Sequence, residues 1–516
     1  MKHLKTLRKI VGGLVLIVFF VGPLLAAVRL WPHVPGRLLM EMDPLVALAT
    51  GLATGVLYSG LWLAVVVSVL TLVFGRFFCS WVCPLGTLQD LASVAPRDKK
   101  AAAKKARNRY RDIYFLKYAL LLALLVLAVL GPVQVGLLDP LALYLRTLGG
   151  VLLPGIQAAG VPIGTLERVT AGGLLVGLMM VAVLAVTRFV PRAWCRTVCP
   201  LGATFGVLGR WSLLSIRRDE EACVDCGRCA RVCNGAADPD SKLRPSECVL
   251  CFNCIGECPY DALTYGLPAP VSAQAPQSPD LTRRRALTAA GAGILAYPLL
   301  RSSLSSANTP STSLIRPPGS LEEEEFLARC VKCGACTQVC PTGGLQPAYS
   351  QGGAESLWTP VLLPRIGHCE ASCTRCSHHC PTGAIKEISQ KQRTGTKDSP
   401  PIKIGTAFVD RGRCLPWAMG KPCLVCEEVC PVSPKAIIAE EAPTTSSSGR
   451  KVTLGRPRVI PERCIGCGAC ENHCPMAGRA AIRVSSVGES RSRKNRFLLS
   501  ATASANPSAS RGKPAK

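Results

Sequence analysis

Closely spaced groups of four cysteines constrain this 516-residue chain more than any other feature of its sequence. Three thiolates within seven residues can wrap one face of a cubane iron–sulfur cluster, and a fourth follows nearby. Of the 28 cysteines, all but four fall into six such quartets with none left over. The pattern therefore predicts six [4Fe-4S] clusters, held by Cys223, Cys226, Cys229 and Cys233; Cys248, Cys251, Cys254 and Cys258; Cys330, Cys333, Cys336 and Cys340; Cys369, Cys373, Cys376 and Cys380; Cys414, Cys423, Cys426 and Cys430; and Cys464, Cys467, Cys470 and Cys474.

Zinc ribbons and disulfides are the competing interpretations of these cysteines. Zinc sites use paired C-x2-C units, and disulfides between such close neighbours would be strained. Four quartets have the spacing C-x2-C-x2-C-x3-C of bacterial ferredoxins, while the fourth begins with x3 and the fifth with x8. Gly227, Gly334 and Gly468 can supply the positive-φ turns that wrapping favours. A proline follows the last cysteine in five quartets, and Asn234 replaces it in the first.

The last cysteine of a ferredoxin quartet ligates the neighbouring cluster. The first two quartets are therefore expected to exchange their last cysteines. One cluster would be held by Cys223, Cys226, Cys229 and Cys258, and the other by Cys248, Cys251, Cys254 and Cys233.

The large positive charge is consistent with metal sites of this kind. The formal net charge is +27 with every cysteine counted as neutral. Six oxidised four-thiolate clusters would lower it to about +15. Much of the basic excess is thus counter-charge to clusters rather than a nucleic-acid-binding surface.

Four uncharged stretches are long enough to cross a bilayer, which takes about 20 apolar residues. Basic residues cluster at the N-terminus, after the second stretch and after the fourth, so both ends of this unit are expected in the cytoplasm. A signal peptide is the alternative for the first stretch, but no small-residue cleavage site follows it closely. Thr147–Leu166 is also uncharged, but its glycines and prolines favour a loop or a short re-entrant piece over a span. The four predicted spans are Ile10–Val28, Pro44–Gly75, Tyr118–Leu138 and Val169–Thr187.

An internal repeat supports the count of four spans. Asp-Pro-Leu occurs at 43–45 and at 139–141. The second and the fourth span each end in Cys-x3-Cys-Pro-Leu-Gly, at 79–86 and 195–202. The four cysteines of these motifs have three open interpretations: inert residues, a shared four-thiolate metal site, or a redox-active dithiol. They are Cys79, Cys83, Cys195 and Cys199.

A second membrane-related signal joins the two halves of the chain. Thr282–Leu287 contains three consecutive arginines and precedes a mildly apolar run that extends to Leu300. This resembles a twin-arginine export signal, and a basic interfacial helix is the alternative. An export signal of this type would direct the following domain across the membrane after that domain has folded around its clusters. The domain would then lie on the outer side.

Several cofactors have no signature in this sequence. No C-x-x-C-H motif is present, no predicted span contains a histidine for haem, and no dinucleotide fingerprint or P-loop occurs. His378, His379 and His473 lie inside cysteine runs and are expected to be surface or supporting residues. Asp43 and Asp139 are either helix N-caps followed by proline or acceptors for quinol protons, and His33 is expected on an outer loop.

Residues 1–266 resemble the membrane ferredoxin-type subunit of periplasmic nitrate reductase systems, the NapH or MauN type. The resemblance lies in the two Cys-x3-Cys-Pro pairs, the four spans and the first two quartets. Residues 282–484 resemble the exported four-cluster partner, the NapG or MauM type. This second resemblance implies that the third quartet pairs with the sixth, and the fourth with the fifth.

The resemblance implies a fused quinol dehydrogenase module of the bacterial inner membrane. It would take electrons from the quinone pool and deliver them to a periplasmic reductase or cytochrome. The alternatives are a maturation or reductase factor for a copper or haem enzyme, and a redox-sensing regulator. The expected fold is multidomain: a four-helix transmembrane unit of two repeats (1–210), an α+β two-cluster ferredoxin domain in the cytoplasm (211–266), linkers and signal segment (267–320), a periplasmic four-cluster domain (321–484) and a disordered basic tail (485–516).

Overall fold

The chain forms two compact units in a computed structural model. The first contains Met1–Ala307, Glu324–Pro360 and Arg375–Glu387, and the second contains Asn308–Glu323, Val361–Thr374 and Ile388–Lys516. The structure describes residues 3–27, 35–56, 58–93, 101–158, 172–241, 243–267, 282–301, 313–349, 351–396, 399–445, 451–492 and 495.

The first unit is mainly helical. Its elements up to the third quartet are α1 His3–Ala27, α2 Pro35–Glu41, α3 Pro44–Thr54, α4 Trp62–Phe74, α5 Phe78–Trp81, α6 Pro84–Ala92, α7 Ala101–Asn108, α8 Leu116–Val129, α9 Pro140–Thr147, α10 Leu153–Ala158, α11 Gly173–Phe189, α12 Ala193–Thr197, α13 Pro200–Gly209, β1 Ser215–Arg218, α14 Arg228–Arg231, α15 Asn253–Glu257, β2 Leu263–Gly266 and α16 Arg283–Arg301. Strands β1 and β2 pair antiparallel.

The repeated motifs begin helices in both halves of this unit. Asp43 and Asp139 cap α3 and α9, and proline occupies the first turn of each helix. Cys83 and Cys199 stand in the same way before α6 and α13. Proline suits a first helical turn because its missing N–H has no partner there and its φ is already helical. The repeat therefore encodes helix starts as well as cysteines.

The second predicted span is two helices rather than one. Helix α3 ends at Gly55, whose φ is 70°, and α4 begins only at Trp62. Glycine adopts this left-handed conformation without steric cost, so it stops the helix inside an otherwise apolar run. The structure also places short helical segments over Leu148–Ala158, within the stretch expected to be a loop.

One helical stretch among the described residues, Ala102–Val129, is long and apolar enough to cross a membrane by length and composition. Shorter apolar helices cover Pro44–Thr54, Ser59–Phe74, Pro140–Ile156, Gly173–Phe189 and Pro200–Gly209. Within the described ranges this criterion supports one span, so the count of four spans stays a prediction.

Helix α16, which carries the arginine run, packs along α8. The Arg285 guanidinium lies 4.1 Å from the centre of the Phe115 ring, just before α8 begins. Further along both helices, a Cβ added at Gly293 would lie 2.7 Å from the Ala123 carbonyl oxygen. The two helices thus run in the same direction, and glycine allows their close approach.

The remaining elements follow the apolar helices. They are α17 Glu323–Arg329, α18 Ala335–Gln338, β3 Leu345–Pro347, β4 Pro360–Leu362, α19 Arg375–His378, α20 Gln390–Thr394, β5 Thr406–Val409, α21 Leu415–Ala418, α22 Val425–Glu428, β6 Ile437–Thr445, β7 Lys451–Val459, α23 Ala469–Asn472 and β8 Ile482–Ser485. In the second unit, β5 pairs antiparallel with β8, and β6 pairs antiparallel with β7.

Two expected boundaries differ from the structure. Residues 324–360 and 375–387 belong to the first unit, so the expected domain 321–484 is divided. The start of the expected disordered tail is ordered, because Arg491 forms ion pairs with Glu323 and Glu489 at 2.8 Å. Residues 493–494 and 496–516 lie outside the described residues, as do His33, most of the linker before α16 and residues 302–312.

Candidate iron–sulfur sites

The first two quartets form two four-cysteine cavities in the first unit. One hollow with about 380 Å³ of empty space is lined by Cys223, Cys226, Cys229 and Cys258. A second, of about 320 Å³, is lined by Cys233, Cys248, Cys251 and Cys254. The structure thus brings together the two sets of four that the spacing predicts, with the last cysteine of each quartet in the other cavity. We call these the first and second cavities.

The donor set of these cavities fits an iron–sulfur cluster. Burial raises the pKa of Cys248 to about 12 and that of Cys233 to about 11. Neutral thiols are therefore favoured until a metal replaces their protons, since a cluster binds the thiolate. The Ala237 N–H donates to the Cys233 sulfur at 3.3 Å, a bond that would stabilise negative charge on that atom.

Glycines take the wrapped conformation that the spacing predicts. The φ angles of Gly227, Gly334 and Gly468 are 64°, 76° and 82°. Each glycine immediately precedes the short helix that carries the third cysteine of its quartet.

The proline-to-asparagine exchange in the first quartet has a structural role. The Asn234 side chain donates to Asp90 at 3.0 Å, and its backbone carbonyl oxygen accepts from the buried Arg196. Both bonds join the ferredoxin segment to the helices of the first unit, and a proline could not make the side-chain bond to Asp90.

The third quartet also lies in the first unit. Cys336 is close enough to Cys330, Cys333 and Cys380 to interact with them electrostatically. The Ile385 N–H donates to the Cys380 sulfur at 3.4 Å. The last cysteine of the fourth quartet thus joins the first three cysteines of the third.

The second unit contains a further pair of cavities. One cavity, with about 380 Å³ of empty space, is lined by Cys414, Cys423, Cys426 and Cys474. The other, with about 310 Å³, is lined by Cys430, Cys464, Cys467 and Cys470. The nested pairing expected from the resemblance is therefore wrong: the fifth and sixth quartets exchange their last cysteines, and the fourth quartet contributes Cys380 to the third. Pairing of β5 with β8 brings the segments that flank these two quartets together.

The long spacer of the fifth quartet is filled by a helix. Helix α21 lies between Cys414 and Cys423, and the Trp417 indole N–H donates to the Pro457 carbonyl oxygen at 3.2 Å. The insertion is thus anchored to strand β7 while both flanking cysteines still reach one cavity.

The two repeat motifs bring their four cysteines into one buried layer. All four are less than one tenth exposed, and Cys199 interacts electrostatically with the other three. The Gln89 side chain of the first repeat donates to the Cys195 sulfur of the second at 3.2 Å. We call Cys79, Cys83, Cys195 and Cys199 the four-thiol site.

Two buried arginines support this site, and sequence reasoning did not single them out as functional. Arg76 and Arg192 each stand three residues before the first cysteine of a motif, and each is only 1% exposed. Arg192 donates to the Cys79 carbonyl oxygen at 3.2 Å and to the Asp90 carboxylate at 2.8 Å. Their identical position in the two repeats was the signal that could have identified them.

The aspartates of the repeat meet at a buried position. Asp43 and Asp139 are fully buried, and their carboxyl groups lie close enough to interact electrostatically. Asp43 accepts from the Leu45 N–H at 2.8 Å, and Asp139 accepts from the Ala142 N–H at 2.7 Å. Both are therefore helix caps that lie buried within the first unit. Two like charges at this separation repel each other, which favours a proton on one of the two carboxyl groups.

The histidines inside the cysteine runs have partners other than a metal. The Nδ1 atom of His378 contacts Glu387 at 2.8 Å, and those of His379 and His473 contact the carbonyl oxygens of Arg375 and Ala469.

Because the first two quartets exchange their last cysteines, substitution of the last cysteine in one quartet should damage the cluster held by the other. Cys258→Ser should alter the EPR signal of the cluster held by the first quartet, and Cys233→Ser that of the second. The reason is that each serine removes one ligand from the opposite cavity. EPR of the two dithionite-reduced variants would check this, and damage confined to the quartet that contains each substitution would contradict it.

Comparisons with known proteins agree with these sites. Residues 56–101 and 173–218 match a family described as a 4Fe-4S binding domain, 247–345 match a 4Fe-4S dicluster domain, and 457–477 match a second 4Fe-4S binding domain family. No solved structure matches the chain.

Three curated relatives illustrate the similarity. The methylamine utilization ferredoxin-type protein MauM of Methylorubrum extorquens is 37% identical over 219 residues, 40% of this chain and 90% of the relative. The putative electron transport protein YccM of Escherichia coli is 32% identical over 44% of this chain and 61% of its own. The ferredoxin-type protein NapG of Haemophilus influenzae is 34% identical over 38% and 65%.

Proposed function

Because this chain belongs to the family of MauM-type ferredoxin proteins, we propose that it is a membrane-bound quinol dehydrogenase component with six [4Fe-4S] clusters. Iron–sulfur electron transfer is common to the relatives described above. In this proposal the chain joins a membrane subunit of the NapH or MauN type to a four-cluster partner. It passes electrons from the quinone pool to a periplasmic reductase or cytochrome.

The observation that carries this proposal is the position of cysteine groups at opposite ends of α8. At its beginning, the Tyr118 hydroxyl donates at 2.8 Å to Glu247, the residue before Cys248 of the second cavity. Just after its end, the Val133 N–H donates to the Leu327 carbonyl oxygen at 3.2 Å, three residues before Cys330. Fourteen helical residues span about 21 Å, most of the thickness of a bilayer core.

Exposed apolar side chains on the helices support a lipid environment. Leu174 on α11 is 77% exposed, Leu287 on α16 is 73% exposed, and Trp62 on α4 is 62% exposed. Apolar surfaces of this kind on several helices of one unit favour contact with membrane or partner. Helix α16 runs parallel to α8, so it supplies the additional crossing that would carry the last four quartets to the outer side.

The carboxyl pair of Asp43 and Asp139 supports quinol as the electron donor. Oxidation of a quinol releases two protons along with two electrons, and a buried carboxyl pair is a candidate acceptor for such protons. Asp139 is also close enough to Cys83 to interact with it electrostatically. A candidate proton acceptor thus lies beside the four-thiol site inside the helical unit.

The proposal is tested by adding a quinol analogue to anaerobic membranes that contain the protein. The expected result is reduction of its iron–sulfur EPR signals, because quinol supplies electrons directly. Dithionite reduction of the same sample is the control for cluster content. Clusters that are reduced by dithionite but not by ubiquinol or menaquinol analogues would contradict quinol oxidation and leave iron–sulfur electron transfer intact.

A further inference from the structure

We propose that the four-thiol site holds an iron–sulfur cluster in addition to the six in the ferredoxin-type quartets. The site is built from both halves of the internal repeat, two cysteines from each. Its thiols lie in the buried core of the helical unit, where Cys79, Cys83 and Cys199 pack with apolar side chains.

Donors surround the sulfur atoms of this site. The Gly202 N–H donates to the Cys199 sulfur at 3.1 Å, and the Gln89 amide donates to Cys195 at 3.2 Å. The Arg76 guanidinium is close enough to Cys79 to interact with it electrostatically. Donors aimed at cysteine sulfurs stabilise thiolates and clusters. The motif glycines also leave no space for a side chain, since a Cβ at Gly202 would lie 3.2 Å from the Cys199 sulfur.

The buried charges around the site leave a positive excess. Arg8 and Arg192 share the single carboxylate of Asp90, with contacts of 2.7 and 2.8 Å. Arg76 and Lys117 in the same way share Glu247. Each group of three keeps one uncompensated positive charge.

An unpaired buried charge is costly, so a negative group is expected beside these two groups of charged side chains. An oxidised iron–sulfur cluster with four thiolates carries two net negative charges, so a cluster in the four-thiol site would supply charge of the required sign.

The four-thiol site shares one property with the four-cysteine cavities. Across the described ranges, no three side chains of histidine, cysteine, aspartate or glutamate converge closely enough to bind a single metal ion. The same holds for the four-cysteine cavities of the ferredoxin type. A mononuclear copper or zinc site is therefore disfavoured in the same way in both places.

The position of the site makes it a relay inside the first unit. Arg192 interacts electrostatically with both Cys195 and Cys251 of the second cavity. In the other direction, Asp139 interacts with Cys83 of the site and with Arg146, which in turn interacts with Cys333 of the third quartet. The site thus lies between the cysteine groups found at the two ends of α8.

This relay role rests on the proposed function, whereas the metal site itself does not. One quinol gives up two electrons and two protons. The additional cluster accepts one electron at a time and passes it to a neighbouring cluster before it accepts the second, while the protons leave through the carboxyl pair.

The test is the iron and sulfide content of the anaerobically purified full chain and of four single variants: Cys79→Ser, Cys83→Ser, Cys195→Ser and Cys199→Ser. Each variant is expected to lose the same cluster, about two or four Fe according to its type. The ferredoxin-type EPR signals after dithionite reduction should persist. Thr204→Val is the matched control, because the Thr204 hydroxyl bonds the Pro200 carbonyl oxygen and no cysteine.

Equal loss from positions in both repeats supports the site, whereas unchanged iron in all four variants overturns it. Stoichiometric copper or zinc in place of the lost iron also overturns it. Should the variants fail to fold, the unmodified protein decides: about 26 or 28 Fe supports the site and about 24 overturns it. Dithionite replaces quinol throughout, so failure of quinol oxidation would not affect the result.

Discussion

Quinol-driven reduction of the clusters is expected to fall about 100-fold when Asp43→Asn and Asp139→Asn are combined. The two carboxyl groups are fully buried and close enough to interact electrostatically. Asparagine keeps an oxygen that can cap α3 and α9. It cannot accept a proton to become a neutral acid, so the variant removes proton uptake while it keeps the caps. The measurement is the rate at which a quinol analogue reduces the iron–sulfur EPR signals in membranes.

Two comparisons separate this effect from structural damage. Dithionite should reduce the clusters of the double variant to the wild-type level, because that reaction needs no proton acceptor. The single variants should retain part of the rate, since one carboxyl group remains. An unchanged quinol rate in the double variant would return both residues to capping alone.

A protease added to spheroplasts is expected to remove a tag fused to the C-terminus, because we propose that the last four quartets lie outside. The combined change Arg283→Lys, Arg284→Lys and Arg285→Lys should abolish cleavage. These arginines begin α16 and form the twin-arginine-like segment, which lysine matches in charge but not in side-chain shape. Immunodetection of the tag before and after protease treatment measures the result.

Arg301→Lys is the matched control for this experiment. It lies at the other end of α16 and makes the same chemical change outside the arginine run. Cleavage should be normal in this variant. A wild-type tag that is protected in intact spheroplasts but cut after lysis would place all clusters on the inner side and exclude a periplasmic acceptor.

The cysteine sets of the first cavities could be predicted because ligand spacing is a local property of the sequence. Exchange of Cys233 and Cys258 follows from the ferredoxin pattern and agrees with the cavities observed. The partner of Cys474 could not be predicted in this way, because it depends on strand pairing between segments about 75 residues apart.

The contacts of the buried polar residues in the first unit also could not be predicted from the local sequence. Asp43 and Asp139 were recognised as helix caps, but their contact with each other depends on how the two repeats pack. Arg76 and Arg192 look like ordinary basic residues after a span, the kind that sets orientation. Only their burial and their bonds across the repeat identify them as part of a site.

Packing of the third-quartet segment against the apolar helices has a consequence for assembly. Arg146 stacks on Trp358 at 4.2 Å, and the buried Lys332 ammonium donates to the Gln134 side chain. These contacts form between parts of one polypeptide, so linkage sets their local concentration, which for short flexible tethers is in the millimolar range. A contact surface too weak to hold two separate subunits together is then sufficient. Because both parts belong to one polypeptide, their ratio is fixed at one to one and the surface between them does not need high affinity.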